Sequence, residues 1–87
     1  MTWTVNLTRT ASHELKRAPK SDQARIRAAL LEMRDDPYFG DIKRLRGYSG
    51  KTFRRRVGNW RILFTVYDDR IIVEVEEILR RSSTTYS

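Results

Sequence analysis

Four arginines fall within the thirteen residues "TFRRRVGNWRILF" at 52–64: Arg54, Arg55, Arg56 and Arg61. A guanidinium stays charged at any physiological pH, and its planar fork of donors engages phosphate or carboxylate oxygens two at a time. Gly58-Asn59 separates two apolar-rich arms, the pattern of a two-residue type II′ hairpin turn with Gly at the first central position. That turn sets Val57 opposite Trp60, Arg56 opposite Arg61, Arg55 opposite Ile62, Arg54 opposite Leu63 and Phe53 opposite Phe64. Directly opposed residues share a face. Phe53, Val57, Trp60, Ile62, Phe64 and Val66 therefore make an apolar face, with Arg55 its one exception near an edge. Arg54, Arg56 and Arg61, with Thr52, Leu63 and Thr65, make the other face.

Continued through a turn at Asp68-Asp69, the same alternation pairs Val66 with Ile71, Phe64 with Val73 and Ile62 with Val75. It also sets Arg61 opposite Glu76 and Leu63 opposite Glu74, and it puts Arg80 but not Arg81 on the arginine face. A single glutamate does not balance three guanidiniums, and like charges opposed across strands repel. The convergent cations fit a phosphodiester; the plainer alternative is a solvated surface on which Glu76 neutralises Arg61.

Other chemistry is sparse. His13 is the only histidine and there is no cysteine, so a metal site would lack imidazole and thiolate ligands. There is no Gly-rich phosphate loop and no Ser/His/Asp set, and neither a metal nor a cofactor is expected. Tyr86, in the polar tail, is either a frayed terminus or a group for base stacking or proton handling. Tyr38, Phe39 and Tyr48 read as closing the edge of the core, with base stacking as the alternative.

The elements that must position these groups read in the order βααβββ. "TWTVNLT" at 2–8 alternates as a half-buried strand. Ala11, Leu15 and Ala18 recur at helical spacing up to Pro19. Ser21 is the expected N-cap of a second helix with Ile26, Ala29, Leu30 and Met33 as its stripe, closed by Asp35-Asp36-Pro37. Residues 37–51 read as a long connection, and three strands follow. The expected fold is α+β: a two-helix hairpin packed on one face of a mostly antiparallel four-stranded sheet, as a single domain over 1–87 with a loose tail from 80 to 87.

Eighteen Lys and Arg against 11 Asp and Glu give a net charge of +7 over 87 residues. That imbalance favours a polyanion partner, nucleic acid or an anionic membrane surface. No apolar run approaches the ~20 residues of a membrane span, and the N-terminus lacks the pattern of a signal peptide. A soluble cytoplasmic protein is expected.

"ASHELKRAPK", "DIKRLRG", "TFRRRVGNWRILFTVYDD" and "VEVEEILRRSSTTY", in this order and spacing, resemble the RelE/ParE superfamily of bacterial toxin–antitoxin toxins, and more closely its RelE-like mRNA interferases. The resemblance covers nearly the whole chain. It implies a compact microbial ribonuclease fold whose members cleave mRNA in the ribosomal A site without a metal, the 2′-hydroxyl attacking the adjacent phosphate. By position it assigns catalytic roles to Arg54, Arg56, Arg61, Arg81 and Tyr86. It leaves Arg80, Lys43, Arg44 and Arg46 as substrate-binding cations, with Arg81 rather than Arg80 the better match to the family's C-terminal arginine. It also implies a cognate antitoxin with an acidic or amphipathic segment, and mRNA on the 70S ribosome as the other partner. Some RelE-like toxins carry lysines where this chain has Arg54 and Arg56. Because a guanidinium is a poor general base, the base falls to Tyr86, Glu76, a ribosomal group or none. The alternative within the superfamily is a ParE-like inhibitor of DNA gyrase with no nuclease chemistry, whose members are expected to lack the full arginine and tyrosine set.

Overall fold

The computed structural model describes residues 2–46 and 51–80. The elements run β1 (Thr4–Leu7), α1 (Arg9–Arg17), α2 (Lys20–Asp35), β2 (Ile42–Arg44), β3 (Lys51–Val57), β4 (Trp60–Tyr67) and β5 (Ile72–Arg80). One sheet holds all five strands in the order β1-β5-β4-β3-β2. Its neighbours are antiparallel except β1, which runs parallel to β5. The α+β layering is as expected, but the sheet has five strands rather than four. The added strand lies inside the supposed connection, where "IKR" is too short and too charged to register as a strand. Its pairing with β3 is extended by the Arg56 N–H donating to the Asp41 carbonyl (2.9 Å) and the Leu45 N–H to that of Thr52 (2.9 Å).

The two helices are capped in different ways. Thr8 is the N-cap of α1, its hydroxyl accepting from the Ala11 N–H (3.1 Å). The same hydroxyl donates to the Glu76 carbonyl (2.8 Å), so one side chain caps the helix and ties it to β5. Pro19, not Ser21, is the N-cap of α2, with no side-chain cap bond. Ser21 lies in the first turn, while the Gln23 amide donates back to the Ala18 carbonyl (2.8 Å) and closes the joint between the helices. The core forms where helices meet sheet: Ala11, Leu15, Ala18, Ile26, Ala29 and Met33 pack on Trp60, Ile62, Phe64, Val66, Val73, Val75 and Ile78. An aromatic series extends it to the sheet's edge, with Phe53 stacked on Phe64 (5.6 Å) and Tyr38 edge-on to both Phe53 (5.5 Å) and Trp3 (6.5 Å). Tyr38 therefore closes the core's edge.

Arg55 is the charged exception on the apolar face, and it is only 7 % exposed. Its guanidinium crosses to α2, where it bonds the Glu32 carboxylate and the Ala29 carbonyl (3.4 Å) and lies over the Phe39 ring (5.8 Å). The chain makes room for it at Gly40, which has φ +94°; a Cβ there would stand 3.1 Å from the guanidinium carbon. Gly40→Ala combines that crowding with a backbone conformation side chains rarely adopt, and it is expected to cost about 1–3 kcal/mol in denaturant unfolding.

Tyr38 also joins a polar clasp between the loop after α2 and the β4–β5 turn. Its hydroxyl donates to Asp68 (2.8 Å), and Lys51 pairs with the other carboxylate oxygen (2.5 Å). The Lys51 ammonium first, then the Tyr38 hydroxyl, hold the Asp68 carboxyl below its ordinary range. A lowered folded-state pKa contributes stability above the unfolded value and loses it as pH falls through the folded one. The stability advantage of wild type over Asp68→Asn should therefore shrink as pH is lowered from about 5 to 2, as read by thermal melting.

Candidate functional site

The hairpin register is the expected one, pair for pair from Phe53↔Phe64 to Val57↔Trp60. Gly58 has φ +57° while Asn59 does not enter positive φ, as a type II′ turn requires. Arg56 and Arg61 stand directly opposed on the face away from the helices, and Arg54 lies diagonal to Arg61. Strand β2 adds a fourth cation, because Lys43 pairs with Arg54. Arg44 instead pairs with Phe53, on the helix-facing side, and Arg46 follows β2 as an exposed turn residue.

The register between β4 and β5 differs from expectation in two steps. The strands are joined by residues 68–71 rather than a two-residue turn, and Ile71 takes φ +56°. The longer connection moves the pairing by two residues, to Val66↔Val73 and Phe64↔Val75, so the apolar alternation survives. A bulge at Leu63/Phe64 then shifts it by one more, to Leu63↔Glu77, Ile62↔Ile78, Arg61↔Leu79 and Trp60↔Arg80. Arg61 thus faces Leu79, not Glu76. Arg80 falls opposite Trp60, off the arginine face, which overturns the alternation argument that had placed it there. Arg81 and Tyr86, like Tyr48, lie outside the described residues.

Glu76 is the extra residue of the bulge. Its carboxylate accepts from the Thr65 hydroxyl (3.3 Å), which lies 3.0 Å from the Thr52 hydroxyl. Both threonines are buried on the arginine side of the sheet. Burial, followed by repulsion from Glu74, raises the Glu76 pKa; the Thr65 bond pulls the other way and Glu77 adds to the rise. With Glu74 opposite Thr65 and Glu77 opposite Leu63, the face is bipolar: three carboxylates towards one end and four cations towards the other.

Neutralisation of those cations is uneven. Arg56 pairs through Nε with Asp41 (3.0 Å). Among the described residues no carboxylate pairs with Arg54 or Arg61. The Nε of Arg61 is buried without a hydrogen-bond partner, a cost that native structures rarely leave uncompensated. A group offering oxygen acceptors above the sheet would satisfy it. Spacing along the chain does not mark Asp41; its only signal in the sequence is an acidic residue directly before the basic run "IKRLR".

The family model for the ParE toxin of the type II toxin–antitoxin system parDE matches residues 5–84. The chain belongs to the RelE/ParE superfamily of type II toxins. Several of the solved structures similar to it are RelE toxins. The archaeal RelE–RelB complex from Pyrococcus horikoshii matches at a TM-score of 0.83 and 19 % identity, over 97 % of this chain and 100 % of that one. The RelBE2 toxin–antitoxin complex of Mycobacterium tuberculosis matches at 0.82 and 26 % identity, over 93 % and 100 %. The isolated Escherichia coli RelE toxin matches at 0.80 and 15 % identity, over 95 % and 88 %. No curated protein sequence matches significantly. The protein is a type II toxin with a RelE-like fold, and several of the similar solved structures are complexes of a toxin with its antitoxin. No helix among the described residues is long and apolar enough to cross a membrane.

Proposed function

We propose that this RelE-like toxin is a ribosome-dependent endoribonuclease that cleaves mRNA in the A site by attack of a 2′-hydroxyl on the adjacent phosphate. The observation that carries the reading is the opposed Arg56–Arg61 pair with Arg54 diagonal to it, of which Arg54 and Arg61 have no carboxylate partner among the described residues. As O2′ attacks, negative charge builds on the phosphoryl oxygens, and fixed guanidinium donors stabilise that charge more than they stabilise the ground state. Arg61 has the central position, and Arg54 and Arg56 flank it. Lys43 extends the cationic strip towards β2 and, with Arg46 beyond the strand, would hold backbone phosphates beside the cut, whereas Arg44, on the helix-facing side, would meet RNA only at the sheet's edge. Arg81 and Tyr86 take the C-terminal catalytic roles by resemblance, and Arg80 would bind RNA from the end of β5. Neither a metal nor a cofactor enters the proposed chemistry.

The partner that restrains the toxin in this reading is an antitoxin whose acidic or amphipathic segment covers the cationic face. One observation favours a second reading, gyrase inhibition: the family model that matches is that of ParE. A pair of assays separates the two. The purified toxin is expected to halt reconstituted translation while leaving gyrase supercoiling of plasmid DNA intact. Arrested supercoiling with unimpaired translation would assign the chain to gyrase instead.

A further inference from the structure

The endoribonuclease reading leaves one chemical role open, because three guanidiniums cannot take the proton that O2′ must lose. Glu76 differs from its neighbours in how it is held. It is the bulged residue of β5, and bulges recur beside active sites, where they re-aim a side chain. Its carboxylate is fixed by the Thr65 hydroxyl, and Thr65 is braced by Thr52 across the sheet. A base oriented by a third group is a recurrent arrangement in catalysis. Thr65 pairs with Thr52, and the next residue of β3 on this face is Arg54. Thr65 and Arg54 therefore stand in a diagonal relation, about 7–8 Å apart. A phosphate held by Arg54 and Arg61 would have its neighbouring ribose over Thr65 and Glu76.

We infer that Glu76 is the proton acceptor for the attacking 2′-hydroxyl, an inference that rests on the endoribonuclease reading above. In the step, the Glu76 carboxylate takes the proton from O2′, the O2′–P bond forms and the P–O5′ bond breaks. Water supplies a proton to the departing 5′-oxygen. The products are a 2′,3′-cyclic phosphate and a 5′-hydroxyl end, with no change of oxidation state. The groups facing Glu76 are Glu74 and Glu77 on its own strand, the Thr65 hydroxyl on β4, and Asn6 on β1, which pairs with Glu74; Arg54 lies one strand further, diagonal to Thr65. Burial and the two glutamates raise its pKa, which makes it a stronger base than an exposed glutamate.

Glu76→Gln keeps the acceptor for Thr65 and removes the charge that the fold disfavours. A raised carboxyl pKa means stability is lost as pH rises through the folded value, so this variant should melt no lower than wild type at neutral pH. Single-turnover cleavage of ribosome-bound mRNA by wild type should fall as acidification protonates the Glu76 carboxylate, and Glu76→Gln should be slower by about 10²-fold or more and lack that acid limb. Thr65→Val, which frees the carboxylate but keeps it, should cut with an intermediate rate and a displaced limb. Cleavage by Glu76→Gln at the wild-type rate, with the acid limb retained, would overturn the assignment while leaving the endoribonuclease reading intact. A wild type that cuts no RNA would overturn both.

Discussion

Arg61→Ala is expected to slow mRNA cleavage by roughly 10²–10³-fold, about 3–4 kcal/mol of transition-state stabilisation, by analogy with removal of one oxyanion-hole donor. Arg61 sits between Arg56 and Leu79 on the face away from the helices, and among the described residues no carboxylate pairs with it. Removing it deletes no ion pair among the described residues, relieves the like-charge opposition to Arg56 and discards a buried Nε that lacks a partner there. Thermal melting should therefore change little, and the loss should appear in the cleavage rate. A large drop in melting temperature would instead make Arg61 a structural residue and remove the cationic site from its central place.

Phe64→Ala should do the reverse. Phe64 is fully buried at the middle of β4, between Phe53 and Val75, and it stacks on Phe53 in the aromatic series that reaches Tyr38 and Trp3. Truncating such a ring removes its transfer free energy and leaves a cavity, typically costing about 3–5 kcal/mol. Chains of this size have a total stability of only about 4–13 kcal/mol, so a large fraction of the variant should be unfolded at physiological temperature. Urea unfolding should show the midpoint falling with little change in slope. The cavity lies on the helix side of the sheet, so the fraction that stays folded should retain cleavage. The two substitutions, three residues apart in sequence, separate function from stability because a strand sends alternate side chains to opposite faces.

That alternation also marks how far the sequence could be read. The hairpin register was legible because Gly58 pins the turn and six apolar residues would be exposed by a slip of one residue. The β4–β5 register was not, since Asp68-Asp69 looks like a complete turn and nothing in Ile71 announces a left-handed backbone. The bulge did leave a trace. In "VEVEEIL" the alternation breaks at the doublet Glu76-Glu77, and only an extra residue there returns Ile78 to the core opposite Ile62. Strand β2 was hidden because three residues carry too little periodicity to be distinguished from a loop. The same shortness placed Lys43 beside Arg54 and Asp41 beside Arg56, neither of which spacing along the chain reveals. Arg55 looked like an exception near an edge; its partners on α2, 23 and 26 residues earlier, could be found only in three dimensions.

The most direct test is primer extension on an mRNA translated in a purified system, comparing wild type, Arg61→Ala, and wild type with ribosomes omitted. The expected result is a set of discrete cuts within codons that requires ribosomes and disappears with Arg61→Ala. Uncut mRNA with translation proceeding normally would contradict the account and leave the arginine face as a binding surface.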